Sequence, residues 1–246
     1  MRGTFLALAR PNMDKDTLAM ALGNYGYGRW EAPYWFIGPE QGMGTHENND
    51  LKRRVNAWLD LGSRELNDCR EFHRRIDETR WHFKKPRVEL QNTWRPLLLL
   101  MNTFLERPVD NDTLRTYQRD RWGALDEKGG ETCVIELSGL AAPSLKESKE
   151  TGCYLQERIE VIRRRISDHR PTMVVMYGRE QKDSWERIAG RAFPSENFLT
   201  NRTTTLVFTP HPVSRIRDGN RFLGNEYWTK LGRELGDLAR SSSAAR

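Results

Sequence analysis

Several stretches of this chain are apolar on consecutive residues instead of alternate ones. They are "YWFIG" (34–38), the "CVIEL" within 131–143, "TMVVMYG" (172–178) and "TTLVFTPHP" (204–212). A strand apolar on every residue must be covered on both faces, which is the situation of a parallel sheet under two helical layers. Helical patterns separate the later strands. "YLQERIEVIRRRISDHR" puts Leu155, Ile159, Ile162 and Ile166 on one face, and Pro171 follows it. "REQKDSWERIAG" and "GNEYWTKLGRELGDLAR" are the next two helices. The expected fold is α/β: three α/β/α layers around a mostly parallel four-stranded sheet. A short helix is expected over 16–23 and a loop over "GNYGYGRWEAP". A charged helical region follows from Leu51 to about Phe83, then a buried helix over 92–106 with Pro96 in its first turn. One domain is expected over 1–240, with 49–130 as a helical insertion and 241–246 as a disordered tail.

Charge and cysteine usage narrow the class. Charged residues make up 30% of the 246-residue chain and hydrophobic ones 37%, but eight Trp supply large core anchors. The net charge of +6, carried mostly by Arg, fits a polyanionic partner. Cys69, Cys133 and Cys153 show no CxxC spacing. That argues against a disulfide framework, a zinc site or a four-cysteine iron–sulfur cluster, and it fits a reducing cytoplasm. "FLALA" near the start is too short to span a membrane, and no secretory signal surrounds it. His46, His73 and His82 have nearby acids, but their spacing matches no standard metal motif, and solvated helix faces explain the charges. No metal and no cofactor are expected.

Ligands of parallel sheets bind at the carboxyl ends of the strands. Three strand ends here carry unusual residues: Gly38–Gly44, Glu136–Ser138 and Thr209–Pro212. The first, "IGPEQGMG", holds one carboxylate, Glu40, on a loop whose glycines allow a ligand to approach the backbone. Glu40 alternatively caps a helix beginning near Thr45. Neither GxxxxGK[ST] nor GxGxxG occurs, which argues against the common nucleotide-binding forms.

These strand ends resemble the uracil-DNA glycosylase superfamily. Its first motif reads Gly, any residue, a catalytic Asp, Asn or Ala, Pro, then Gly or Tyr; Gly38, Pro39, Glu40, Gln41 and Gly42 follow it, with Gln41 in place of Pro. Its His-Pro-Ser motif appears as His211, Pro212 and Val213, with Val in place of Ser. "VIELSGLAAP" looks like its middle strand, and "VVMYGREQKDSW" like the strand, glycine and helix before the last motif. The likeness covers about 30–48 and 131–232 and leaves 49–130 unexplained.

The resemblance implies a monofunctional DNA glycosylase that flips a base out and hydrolyses its N-glycosidic bond. Glu40 would stabilise the sugar cation and direct water, and His211 would hydrogen-bond the departing base. Gly38, Gln41, Gly42, Glu136 and Ser138 would form the base pocket. Ser214, Arg215, Ile216, Arg217 and Arg221 would hold DNA, with Ile216 or Arg215 as the wedge and Arg217 and Arg221 on phosphates. Uracil readers of the family place Asn on the middle strand. Glu136 or Ser138 lies nearest that position here, and an ionised Glu136 would accept from cytosine's amine and repel uracil's O4. Trp30, Tyr34, Trp35 and Trp122 are candidates to stack on the base. The implied substrate is a hypermodified cytosine, for example glucosylated hydroxymethylcytosine in phage DNA, excised as antiviral defence. The polar insertion would widen the pocket to admit the sugar. The alternatives are a repair enzyme for uracil or deaminated bases, and a catalytically silent DNA-binding member. DNA is the expected partner, without a membrane or metal, and the expected state is a monomer.

Overall fold

A computed structural model describes residues 14–42, 47–141, 152–194, 198–200, 203–218 and 221–244. The strands are β1 Gly26–Gly28, β2 Tyr34–Gly38, β3 Leu66–Asn67, β4 Thr132–Glu136, β5 Met173–Tyr177, β6 Phe198–Thr200, β7 Thr205–Thr209, β8 Arg217–Asp218 and β9 Arg221–Phe222. The helices are α1 Lys15–Gly23, α2 Glu47–Asp60, α3 Cys69–Arg75, α4 Trp94–Phe104, α5 Asn111–Asp120, α6 Gly152–His169, α7 Lys182–Ala189 and α8 Asn225–Ala244.

Seven strands form one mixed sheet in the order β3-β1-β4-β2-β5-β7-β6. Its centre, β4-β2-β5-β7, is parallel throughout. Register explains why continuous apolar runs were needed. Phe36 lies opposite both Val134 and Val175, and Val175 opposite Val207. These four pack with Leu97 and Leu100 of α4 and Trp228 and Leu235 of α8. Their neighbours Trp35, Ile37, Cys133, Ile135, Val174 and Met176 pack on the other face with Ile159 and Ile162 of α6 and Trp185 and Ile188 of α7. Burying both faces of each strand supplies most of the apolar stabilisation of such a fold.

The expected four-stranded sheet is therefore the centre of a wider one. The flanking β1 lies within the segment expected to be a loop. Its glycines are what let it pair: a Cβ on Gly26 would fall 2.3 Å from the Val134 carbonyl oxygen, and one on Gly28 2.1 Å from that of Thr132. Both glycines have positive φ, 143° and 91°. The charged helical stretch after Leu51 holds most of α2 and all of α3. It breaks between α2 and α3, where Gly62 and Ser63 both take positive φ. At the other end α8 continues to Ala244, through residues expected in the tail. The "FLALA" segment lies outside the described residues. No described helix is long and apolar enough to cross a membrane.

Helices α4 and α8 meet at unusually close range. A Cβ on Gly232 would sit 2.4 Å from the Leu100 carbonyl oxygen and 3.0 Å from the Thr103 side chain. Gly232→Ala should force the two helices apart and lower stability by about 1–3 kcal/mol, readable as a lower denaturant midpoint. An unchanged midpoint would show that the helices do not pack this closely.

Candidate active site

Because β4, β2, β5 and β7 run parallel, their carboxyl ends emerge along one edge. The chain leaves β2 for β4 on one side and later reaches β5 on the other, so β2 marks the switch point where such sheets open a crevice. A cleft of about 750 Å³ lies there. Its sheet side carries Glu40, Glu136, Tyr177 and His211. Its far wall carries Arg53 and Arg54 of α2, His73 of α3, and Asp77, Trp81 and Trp94.

Gly38 is the pivot of the sheet side. It stands opposite Glu136 in the β2–β4 ladder. A Cβ there would fall 2.2 Å from Glu136 Oε2 and 2.3 Å from the Tyr177 hydroxyl oxygen. Both side chains thus cross the space over Gly38 that any other residue would fill. The backbone beneath is stitched by Leu137 N–H to the Gly38 carbonyl (2.7 Å) and Ser138 N–H to that of Pro39 (2.9 Å). From α6 the buried Arg158 donates to the Glu136, Leu137 and Ala21 carbonyls at 2.8, 2.7 and 3.0 Å, and its guanidinium lies 4.1 Å from the Tyr25 ring centroid. Those donors hold the strand end, but they are spent on backbone oxygens. Glu136 Oε2 is sealed from solvent with no hydrogen-bond partner among the described residues. Burial, then the nearby Glu40 charge, push the Glu136 carboxyl up to about 8, while Arg158 pulls the other way. Glu136 therefore carries its proton at neutral pH. Burial, and then Glu136, likewise hold the Tyr177 phenol well above its ordinary value.

Glu40 sits half-buried beside them, and burial raises its carboxyl above the usual range. No side-chain hydrogen bond engages it among the described residues. Thr45, the start of the helix it was alternatively expected to cap, lies outside them. His211 projects from the end of β7. Its Nδ1 accepts the Val213 N–H at 3.4 Å, so a neutral ring carries its proton on Nε2. Burial lowers its pKa, opposed by Glu180, and favours that neutral form. The Tyr177 ring meets it edge to face at 5.5 Å.

The structure sorts the remaining expected residues. Gln41 lines the cleft, held by Arg54 Nη1 (2.7 Å) and lying against the Tyr27 hydroxyl. The Gly42 carbonyl accepts from Arg54 Nη2 at 3.3 Å. Ser138 does not face the cleft: its hydroxyl donates to the Leu140 carbonyl and accepts the Leu140 N–H, closing its own turn. Ile216 is a core residue at 8% exposure and no free wedge. The apolar side chain that does protrude at the rim is Val213, 57% exposed, with Ser214 beside it in the cleft lining. Arg215 and Arg217 are exposed. The Arg221 side chain lies outside the described part of the molecule. Trp30, Tyr34, Trp35 and Trp122 are all spent on packing. The rings that border the cleft are Tyr27, Trp81, Trp94 and Tyr177.

His73 and His82 are likewise not on solvated faces. Both are buried, around Cys69. His46 lies outside the described residues. No known protein-family model matches the chain, and no curated protein matches it either.

The cleft thus combines a half-buried carboxylate, a neutral imidazole donor and a protonated carboxyl with an unused oxygen. It can stabilise a cation, activate water and read a polar planar edge. The proton on Glu136 has a stability signature. An ordinary Glu loses it near 4.5, whereas the folded protein keeps it to about 8. Its contribution is complete below the lower value and vanishes as pH rises through the higher one. Glu136→Gln, which cannot ionise, should melt above wild type at about pH 9, with the gap closing toward about pH 4.5. A variant that melts below wild type at neutral and alkaline pH, with the deficit shrinking as pH falls below about 4.5, would mean that Glu136 is ionised and paired.

Proposed function

We propose that the chain is a monofunctional DNA glycosylase of the uracil-DNA glycosylase type, acting on a flipped, modified base. The observation that carries this is convergence. Glu40, Glu136 and His211, far apart in the chain, line one cleft at the switch point of a parallel sheet. Each lies on a strand end that resembles a motif of that superfamily.

In this reading the flipped sugar lies over the Gly38–Gly42 loop. Glu40 faces the carbon where positive charge develops and orients or deprotonates the attacking water. His211 donates Nε2–H to the oxygen of the departing base and spreads its growing negative charge. Val213 protrudes where a wedge is needed to fill the emptied stack, and Arg215 and Arg217 meet phosphates.

The base itself faces Glu136. A neutral carboxyl has one donor and one acceptor. It can accept cytosine's amine while donating to N3, or donate to uracil's O4 while accepting from N3–H. The rejection of uracil expected of an ionised Glu136 is therefore lost at neutral pH, and this specific point favours uracil as the second reading. The preference for a hypermodified cytosine rests on the far wall. Arg53, Asp77, Glu78 and Trp81 give it hydrogen-bonding groups and a flat apolar ring, the chemistry that holds a sugar appended to the base.

Matched duplexes containing cytosine, uracil, hydroxymethylcytosine or glucosylated hydroxymethylcytosine test this. Abasic sites are revealed by alkaline cutting. Cutting confined to the modified cytosines is expected. Glu40→Gln should slow it by about 10²- to 10⁴-fold while DNA binding persists. Cutting on uracil alone would make the protein a repair enzyme. Tight DNA binding without cutting on any base, by either form, would make it a silent binding member.

A further inference from the structure

Behind the cleft's far wall, reached at His73, lies a buried cluster that the proposed reaction does not use. Cys69 opens α3, His73 lies one turn later on the same face, and His82 approaches from the following segment. All three are buried, at 0%, 7% and 2% exposure. We propose that Cys69, His73 and His82 bind a zinc ion that ties α3 to the 76–94 segment and fixes the far wall of the cleft.

The spacing is that of metal ligands. Cys69 Sγ is 3.5 Å from His73 Nδ1 and 3.7 Å from His82 Nε2. One donor atom from each residue lies within 4.8 Å of the other two. Tetrahedral zinc, with Zn–S about 2.3 Å and Zn–N about 2.0–2.1 Å, sets sulfur and nitrogen ligands roughly 3.5 Å apart. At His82 the hydrogen bond behind the ligand fits as well. His82 Nδ1 is 3.4 Å from the Arg119 carbonyl oxygen; donating there leaves the Nε2 lone pair toward the sulfur. A backbone carbonyl in that role is the usual way of orienting a ligating imidazole. His73 Nδ1, the nitrogen 3.5 Å from the sulfur, lies 2.7 Å from the Cys69 carbonyl oxygen, so zinc binding through Nδ1 replaces that hydrogen bond.

One thiolate and two imidazoles are ligands that zinc prefers over magnesium or calcium. Binding replaces the thiol proton: Zn²⁺ takes the sulfur lone pair and H⁺ leaves to solvent. Three protein ligands leave a fourth position for water, and His73 also lines the cleft. The competing arrangement is a metal-free core in which both histidines simply satisfy backbone carbonyls.

The test uses the full chain and reads metal, so it is independent of which base, if any, is excised. Zinc content is measured by mass spectrometry on protein purified without a metal-affinity step. Chelator-stripped protein is then titrated with Co²⁺ alone. Stoichiometric zinc, or a near-ultraviolet thiolate-to-cobalt band with tetrahedral visible bands, is expected. The signal should be lost in Cys69→Ala and His82→Gln and kept in Cys133→Ser. Wild-type protein that carries no zinc and gives no thiolate–cobalt band overturns the proposal. So does a Cys69→Ala variant whose metal content and spectrum match wild type. Because wild type alone can overturn it, a variant that fails to fold does not shelter the idea.

Discussion

The register of β2 against β4 is the constraint on which this molecule turns. It places Gly38 opposite Glu136, and the missing side chain on Gly38 is the space that the Glu136 carboxyl and the Tyr177 hydroxyl occupy. A slip of one residue would send Glu136 to the opposite face of the sheet. The apolar register that buries both faces of β2, β4 and β5 forbids that slip. The same packing that stabilises the sheet therefore aims the polar groups at its end. Arg158 completes the device by holding the Glu136 and Leu137 carbonyls, which fixes the strand end without neutralising the side chain. A sealed carboxyl oxygen without a partner among the described residues costs about 1–3 kcal/mol. Strongly shifted acids that line a cleft mark candidate functional sites.

The two sides of the cleft differ in construction. The sheet side is built on strand ends and short stitched turns, and it carries Glu40, Glu136 and His211. The far wall is made by α2, α3 and the 76–94 segment, and it carries charged and aromatic groups. The proposed function puts the chemistry on the sheet side and selectivity on the wall, a division that lets the wall be elaborated without disturbing the sheet. Arg54 bridges the two, because its guanidinium holds Gln41 and the Gly42 carbonyl from α2.

The parallel centre was legible because its strands are apolar on every residue, a pattern that only a doubly covered sheet explains. The strand ends that carry Glu40, Glu136 and His211 were legible as breaks in those runs. What was not legible depended on partners distant in the chain. The glycines of β1 read as a loop, yet they are required by the carbonyls of Val134 and Thr132. Ile216 and Val213 differ little as residue types, and only the packing shows that Ile216 is buried and Val213 protrudes. Tyr177 looked like one more apolar strand residue, although its place before Gly178 put it at a strand end. The charge state of Glu136 follows from burial, which composition cannot show. Cys69 and His73 share a face of α3, but His82 reaches them only through the segment that follows the helix, so no motif spacing marks the three together.

The most direct test of the central proposal identifies what leaves the DNA. Wild-type protein is incubated with a duplex containing one glucosylated hydroxymethylcytosine, and the small-molecule products are identified by mass spectrometry. The proposed chemistry releases the whole glucosylated base and leaves an abasic sugar in the strand. Free glucose, with hydroxymethylcytosine still in the DNA, would contradict it, because the bond cut would then be the one to the appended sugar and not the one to the deoxyribose.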